Sequence, residues 1–181
     1  MYDKYPNYKA LDKMVEVDNH PEYLIIHCSD SDIDNFDIIQ RYHITDPSRR
    51  YENVSYQYII ERSGLLKSGR PETYHGGHTA EQGMNKKSIG ICLCGKFENK
   101  LPSKEQTETL KILLTRLTIK YGITSDKIKY HRHFKPSKTC PGMAIKDDWA
   151  KNLLIQDVVN WEEEYKTLKA KFDAIKDIVK M

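Results

Sequence analysis

The chain has 181 residues, of which 39% are hydrophobic and 30% charged, a length and balance that suit one domain with a single sizeable core. Its net charge of +3 is too small to support nucleic-acid binding by counterion release, although it suits an anionic polymer. No stretch approaches the apolar length that spans a bilayer, so stable membrane insertion is not expected.

Residues 1–20 are polar and Tyr-rich and read as an irregular lead-in. They contain no apolar targeting core and no small-residue cleavage site, so the chain is expected to be made in the cytoplasm and to stay there until released. Tyr23 to Ser29 (YLIIHCS) is short and apolar, bounded by Pro21 and a Ser/Asp cluster, and reads as a buried strand. Asp34 to Tyr42 carries helical spacing in Phe36, Ile39 and Tyr42, and DPSRRYEN after it reads as a loop. SYQYIIERSGLLKSG predicts a hairpin that turns at Ser63-Gly64. HGGHTAEQGMNKKS reads as a long loop and SIGICLCG as a second buried strand.

The clearest helix follows Pro102. Ser103 with Gln106 can form a capping box, Leu110, Leu113, Leu114, Leu117 and Tyr121 recur at helical spacing, and Gly122 ends it. Lys127 to Tyr130 reads as a short strand. The order of elements predicts an α/β fold, with a mixed central sheet flanked by helices. Beyond it, Leu154, Val158, Trp161, Tyr165, Leu168, Phe172, Ile175 and Val179 are spaced alternately four and three. That heptad seam predicts an extra long C-terminal amphipathic helix, packed on its own domain or serving a homo-oligomer or a protein partner. The organisation expected is a lead-in over 1–20, a catalytic domain over 21–152 and the heptad helix over 153–181.

Two separated fragments carry the chemistry. LIIHCS places His27 at the end of a strand, and YHRHFKPSKTCPG from Tyr130 to Gly142 offers His131, His133, Lys138 and Cys140 in a Pro-containing stretch that cannot be a regular helix. Two imidazoles and a thiolate are what a zinc ion with one open position requires, and water bound there has its pKa lowered towards about 7. Spacing alone leaves open which of His131 and His133 is the ligand. The four cysteines show no disulfide-scaffold spacing, which fits a reducing compartment with one thiol available to a metal. Asp30, Asp32 and Asp34 lack the glycine and glutamate of a calcium loop and read as a solvated turn.

LIIHCS, SYQYIIERSG, HTAEQGMNKKSIGICLCG and HRHFKPSKTCPG, in this order and spacing, resemble the zinc-dependent N-acetylmuramoyl-L-alanine amidases. This is the type-2 amidase family of phage lysozyme-type amidases and peptidoglycan-recognition proteins. The resemblance covers about residues 22–150 and implies a zinc ion held by His27, His131 and Cys140. It also implies Tyr56 and Lys138 as the catalytic side chains, and His78, with Asn85, as residues of a substrate-side loop. Two positions depart from the family's pattern: Tyr130 stands where a glycine is usual, and His133 where an acid is usual. Counting back from Pro136 favours His131 as the ligand and leaves His133 beside the site or in the substrate cleft. The activity implied is endolysin-like hydrolysis of the amide between N-acetylmuramic acid and L-alanine in peptidoglycan. The alternatives are a non-catalytic muropeptide-binding module, or an amidase whose C-terminal helix also regulates a protein partner.

Overall fold

The computed structural model describes residues 2–48 and 51–154. Five strands, β1 (Tyr23–Cys28), β2 (Tyr58–Ile60), β3 (Leu66–Ser68), β4 (Ser88–Leu93) and β5 (Ile128–Tyr130), form one sheet in the order β3-β2-β4-β1-β5. β1 is parallel to both β4 and β5, β2 is parallel to β4, and only the β2–β3 hairpin is antiparallel. The sheet is mixed, as the sequence predicts. Its two central strands are apolar on both faces, which is why YLIIHC and SIGICL carry almost no alternation.

The helices are α1 (Phe36–Thr45), α2 (Lys104–Tyr121) and α3, a single turn over His131–Phe134. Residues 149–154 are also helical. The greater part of the predicted C-terminal heptad helix, from 155 onward, lies outside the described residues.

One face of the sheet packs on α2. Leu24, Ile26, Tyr58, Ile60, Ile89 and Ile91 meet Leu110, Leu113, Leu114 and Leu117 in one buried cluster. The opposite face carries Ile59, Cys92 and Cys94 against Ile39 of α1 and Val54. Side chains alternate along a strand, so His27, which pairs across from Cys92, belongs to this second face.

α2 starts as its capping box predicts. The Gln106 N–H donates to Ser103 Oγ at 3.0 Å, and the Ser103 N–H donates to Gln106 Oε1 at 3.2 Å. The same Gln106 amide donates to the carbonyls of Ile60 and Cys94, which fastens the start of the helix to the ends of β2 and β4. Gly122, at φ 64°, ends the helix in the left-handed region. Farther along, Glu72 accepts from Arg116 at 2.8 Å, Lys120 at 2.6 Å, Tyr121 at 2.5 Å and the Tyr58 hydroxyl. That carboxylate ties the segment after the hairpin to the outer half of α2.

The structure refines the reading in three places. α1 runs to Thr45 and turns His43 inward, while Tyr42 is 51% exposed. Phe36, Ile39 and His43, at i, i+3 and i+7, share the inward face. The glycine-containing loop holds 3-10 turns over Glu81–Lys86. The irregular lead-in is packed: Met14 is fully buried, and the Asn19 amide donates to the carbonyls of Glu72 and Ser88.

Candidate active site

β1 and β5 are neighbours, with Ile26 paired to Tyr130. The residue after each of these is a histidine. His27 and His131 therefore emerge side by side at the carboxyl end of the sheet, with ring centroids 4.9 Å apart. Cys140 arrives from the loop that follows α3. Arg132 holds that loop in place: its backbone N–H donates to the Cys140 carbonyl at 3.0 Å, and its guanidinium reaches the carbonyls of Gly142 and Ile145 and the Asp147 carboxylate. The ligand atoms of His27, His131 and Cys140 all lie within 4.8 Å of one another. Among the described residues, this is the group of donors that converges in this way.

The donors fit zinc. His27 Nδ1 stands 3.8 Å from Cys140 Sγ, close to the roughly 3.6 Å edge that ordinary Zn–N and Zn–S bonds make in a tetrahedron. Burial holds the His27 imidazole well below its usual pKa, with the charges of His78 and His131 adding to the effect. Burial also lowers His131; Glu81 opposes that, while Lys138 and Lys135 add to it. Neutral imidazoles are the form that ligates. The backbone N–H of Cys28 points at Cys140 Sγ, 3.4 Å away, a donor suited to a thiolate. The Cys28 thiol is itself pushed up by its side-chain hydrogen bond to Cys140 and by burial.

The three donors sit in a cleft of about 720 Å³ that Tyr56, His43, Arg41 and Lys138 also line. The Tyr56 ring lies 5.2 Å from His27, and burial pushes its phenol well above the usual value, with the nearby thiols of Cys92, Cys140 and Cys28 adding to it. It is a neutral hydroxyl and a hydrogen-bond donor. Lys138 is exposed at the rim, on the loop just before Cys140.

The other residues singled out from the sequence are placed as follows. His133 turns away from the donor group, with Nδ1 accepting the Tyr130 N–H at 3.2 Å and Nε2 3.1 Å from Asp147. His78 lines the cleft yet is only 6% exposed, and its Nδ1 lies 3.1 Å from His27 Nε2. Asn85 turns its amide oxygen to the backbone N–H groups of His78 and Thr79, at 2.9 and 2.8 Å.

Four residues near the site escaped the sequence reading. The His43 ring lies tilted, 5.7 Å from that of Tyr56, and accepts the Ser55 N–H; the i, i+3, i+7 pattern of α1 is the signal that points to it. Arg132, Thr79 and Glu81 act through contacts between distant segments that no local pattern marks. Glu81 pairs with Lys135 at 2.9 Å and lies 3.9 Å from His131 Nε2.

A structural metal knot closes its fourth position with protein, whereas these three donors leave one side facing an open cleft, the construction of a metal-site hydrolase. Comparison with known proteins specifies the class further. The profile of the N-acetylmuramoyl-L-alanine amidase family matches residues 17–143, and the chain belongs to that family. The endolysin of Enterobacteria phage T3 is 30% identical over 139 residues, covering 74% of this chain and 89% of that protein. The endolysin of Escherichia phage T7 is 34% identical over 108 residues, covering 57% and 68%. Among solved structures, the N-acetylmuramoyl-L-alanine amidase LysC from Clostridium intestinale URNW aligns with a TM-score of 0.69 at 25% identity, over 77% of this chain and 88% of that one.

Proposed function

We propose that the chain is a zinc-dependent endolysin-type amidase. It hydrolyses the bond between the lactyl group of N-acetylmuramic acid and the L-alanine of the stem peptide in peptidoglycan, with the zinc held by His27, His131 and Cys140. The observation that carries this reading is the convergence of those three donors on one point at the base of the cleft. When bound there, zinc supplies a Lewis acid for the scissile carbonyl and acidifies water towards neutrality.

The chain's own side chains do the rest. Attack at the carbonyl carbon develops negative charge on its oxygen, and donors already aimed at that point stabilise it without reorganisation. Tyr56 offers a neutral hydroxyl from the cleft wall, and Lys138 an ammonium from the rim. The amine of L-alanine is a poor leaving group as an anion and needs a proton as the bond breaks; Lys138, exposed at the rim, is the group that delivers it in this reading. Burial of His27 excludes water from the side of the site away from the cleft. Arg41 and His43 of α1 also line the cleft. His133 and Asn85 face protein partners and act on substrate only through the loops they hold.

The test is metal content together with wall digestion. The intact chain should carry one equivalent of zinc and release new alanine amino termini from purified peptidoglycan, while Cys140→Ala does neither. Zinc on the intact chain without amide cleavage from any wall chemotype would refute the hydrolase and favour a muropeptide-binding module.

A further inference from the structure

His78 is a buried imidazole to which the chemistry above gives no part, and its geometry is unusual. For His27 to present a lone pair from Nδ1, the nitrogen facing Cys140, its proton must sit on Nε2. That proton needs an acceptor, because His27 is 1% exposed and a buried N–H is costly to leave unpartnered. Two atoms stand in reach of His27 Nε2: His78 Nδ1 at 3.1 Å and Thr79 Oγ1 at 3.4 Å. Thr79 Oγ1 is also 3.2 Å from His78 Nδ1. The shortest of these contacts takes the proton directly to His78 Nδ1; a second arrangement takes it to Thr79 Oγ1 while the Thr79 hydroxyl donates to His78 Nδ1. In both, His78 Nδ1 is the acceptor.

The ring is held in one orientation, with Nδ1 towards His27. Its Cδ2–Nε2 edge fills a slot between two glycines. A Cβ built on Gly76 or on Gly90 would come within 2.4 Å of His78 Cδ2. Asn85 fixes the backbone on either side through the N–H groups of His78 and Thr79. Ring rotation by half a turn would set Cδ2, which accepts nothing, against His27. His78 Nε2 is buried and has no hydrogen-bond partner among the described residues. A fold that tolerates this cost at one ring atom gains a fixed acceptor at the other.

We propose that His78 is a positioning residue whose Nδ1 lone pair, locked by the Gly76–Gly90 slot, holds His27 in the Nε2–H tautomer with Nδ1 open to the metal. The inference rests on the zinc reading above and adds to it the group that prepares one ligand. Residues that orient metal-bound imidazoles in this way typically change metal affinity about 10–100-fold when removed.

The test compares zinc affinity, by competition with a chromophoric chelator, in the intact chain, His78→Leu and His78→Asn. Leu fills the slot without an acceptor, whereas Asn places its amide oxygen near the position of Nδ1. His78→Leu should weaken zinc binding about 10–100-fold, and His78→Asn should recover most of that loss. In the metal-free chain, nitrogen NMR of the imidazoles should show His27 protonated at Nε2 in the intact protein and in His78→Asn, but as a tautomer mixture in His78→Leu. If His78→Leu fails to fold, His78→Gln, whose amide begins one atom farther out, takes its place. Undiminished zinc affinity in the Leu or Gln variant, or no recovery in Asn, would overturn this proposal while leaving the zinc site standing. No zinc on the intact chain would instead overturn the metal reading, and this proposal with it.

Discussion

Replacing Gly90 with alanine tests the slot from the opposite wall. Gly90 sits in the middle of β4, paired to Ile25, where an added methyl ordinarily stiffens a strand at little cost. Here the new Cβ would lie 2.4 Å from His78 Cδ2 and 2.6 Å from Cγ and Nε2, against ordinary carbon contacts of about 3.5–4.0 Å. The ring must retreat by roughly 1 Å, and overpacking of that kind costs about 1–3 kcal/mol. At about 2–4 °C per kcal/mol for a chain of this size, the melting midpoint should fall by roughly 2–12 °C. Equilibrium urea unfolding of the intact chain, Gly90→Ala, His78→Ala and the double variant closes the cycle. With the ring removed, the cost of Gly90→Ala should fall by more than the roughly 0.5 kcal/mol within which uncoupled sites add. Gly90→Ala should also carry a zinc-affinity defect although it deletes no polar atom, because it drives Nδ1 away from His27. An equal cost for Gly90→Ala in both backgrounds would refute the slot.

Three other outcomes follow from the geometry. Burial raises the Glu72 pKa, but the bonds from Lys120, Tyr121, Tyr58 and Arg116 outweigh it and bring it down from an ordinary 4.5 to about 2. The stability this group contributes is therefore complete above about pH 4.5 and lost as pH falls from there towards 2. Glu72→Gln should destabilise the chain at neutral pH by about 1.5–3 kcal/mol and flatten the acid limb of the melting curve, and an unchanged limb would contradict that. Lys138→Ala should lower the rate of amide cleavage about 10²–10³-fold with zinc content and melting midpoint preserved; loss of zinc would mean that Lys138 builds the site rather than working in it. His131→Ala should abolish stoichiometric zinc, whereas His133→Ala should keep it, at the cost of the exposed Asp147 contact and the bond from the Tyr130 N–H. Metal analysis of the pair decides between the two histidines.

Elements governed by local rules were legible in the sequence. The capping box at Ser103, the glycine stop at Gly122 and the short apolar strands around Ile25 and Ile91 appear where pattern and propensity put them. The donor set was legible for a different reason, since His27 and the His/Cys loop are chemically distinctive wherever they fall. What the sequence hid depends on contacts between segments with no period of their own. The HGGHTAEQGMNKKS stretch has no repeat to show that the His78 ring lies against a glycine from β4. Nothing near Arg132 shows that it gathers the carbonyls of Gly142 and Ile145. The lead-in reads as loose because Met14 and Asn19 follow no pattern, yet both are buried by neighbours distant in sequence.

The pairing of Ile26 with Tyr130 has a consequence for the sheet itself. β5 is an outermost strand of three residues, laddered among the described residues to β1 alone, and so short an edge strand holds to its sheet by few hydrogen bonds. His27 and His131 stand immediately beyond the last rung of that ladder. A metal gripping both would act as an end-stop on that ladder, so that the donors that equip the cleft would also fasten one edge of the sheet.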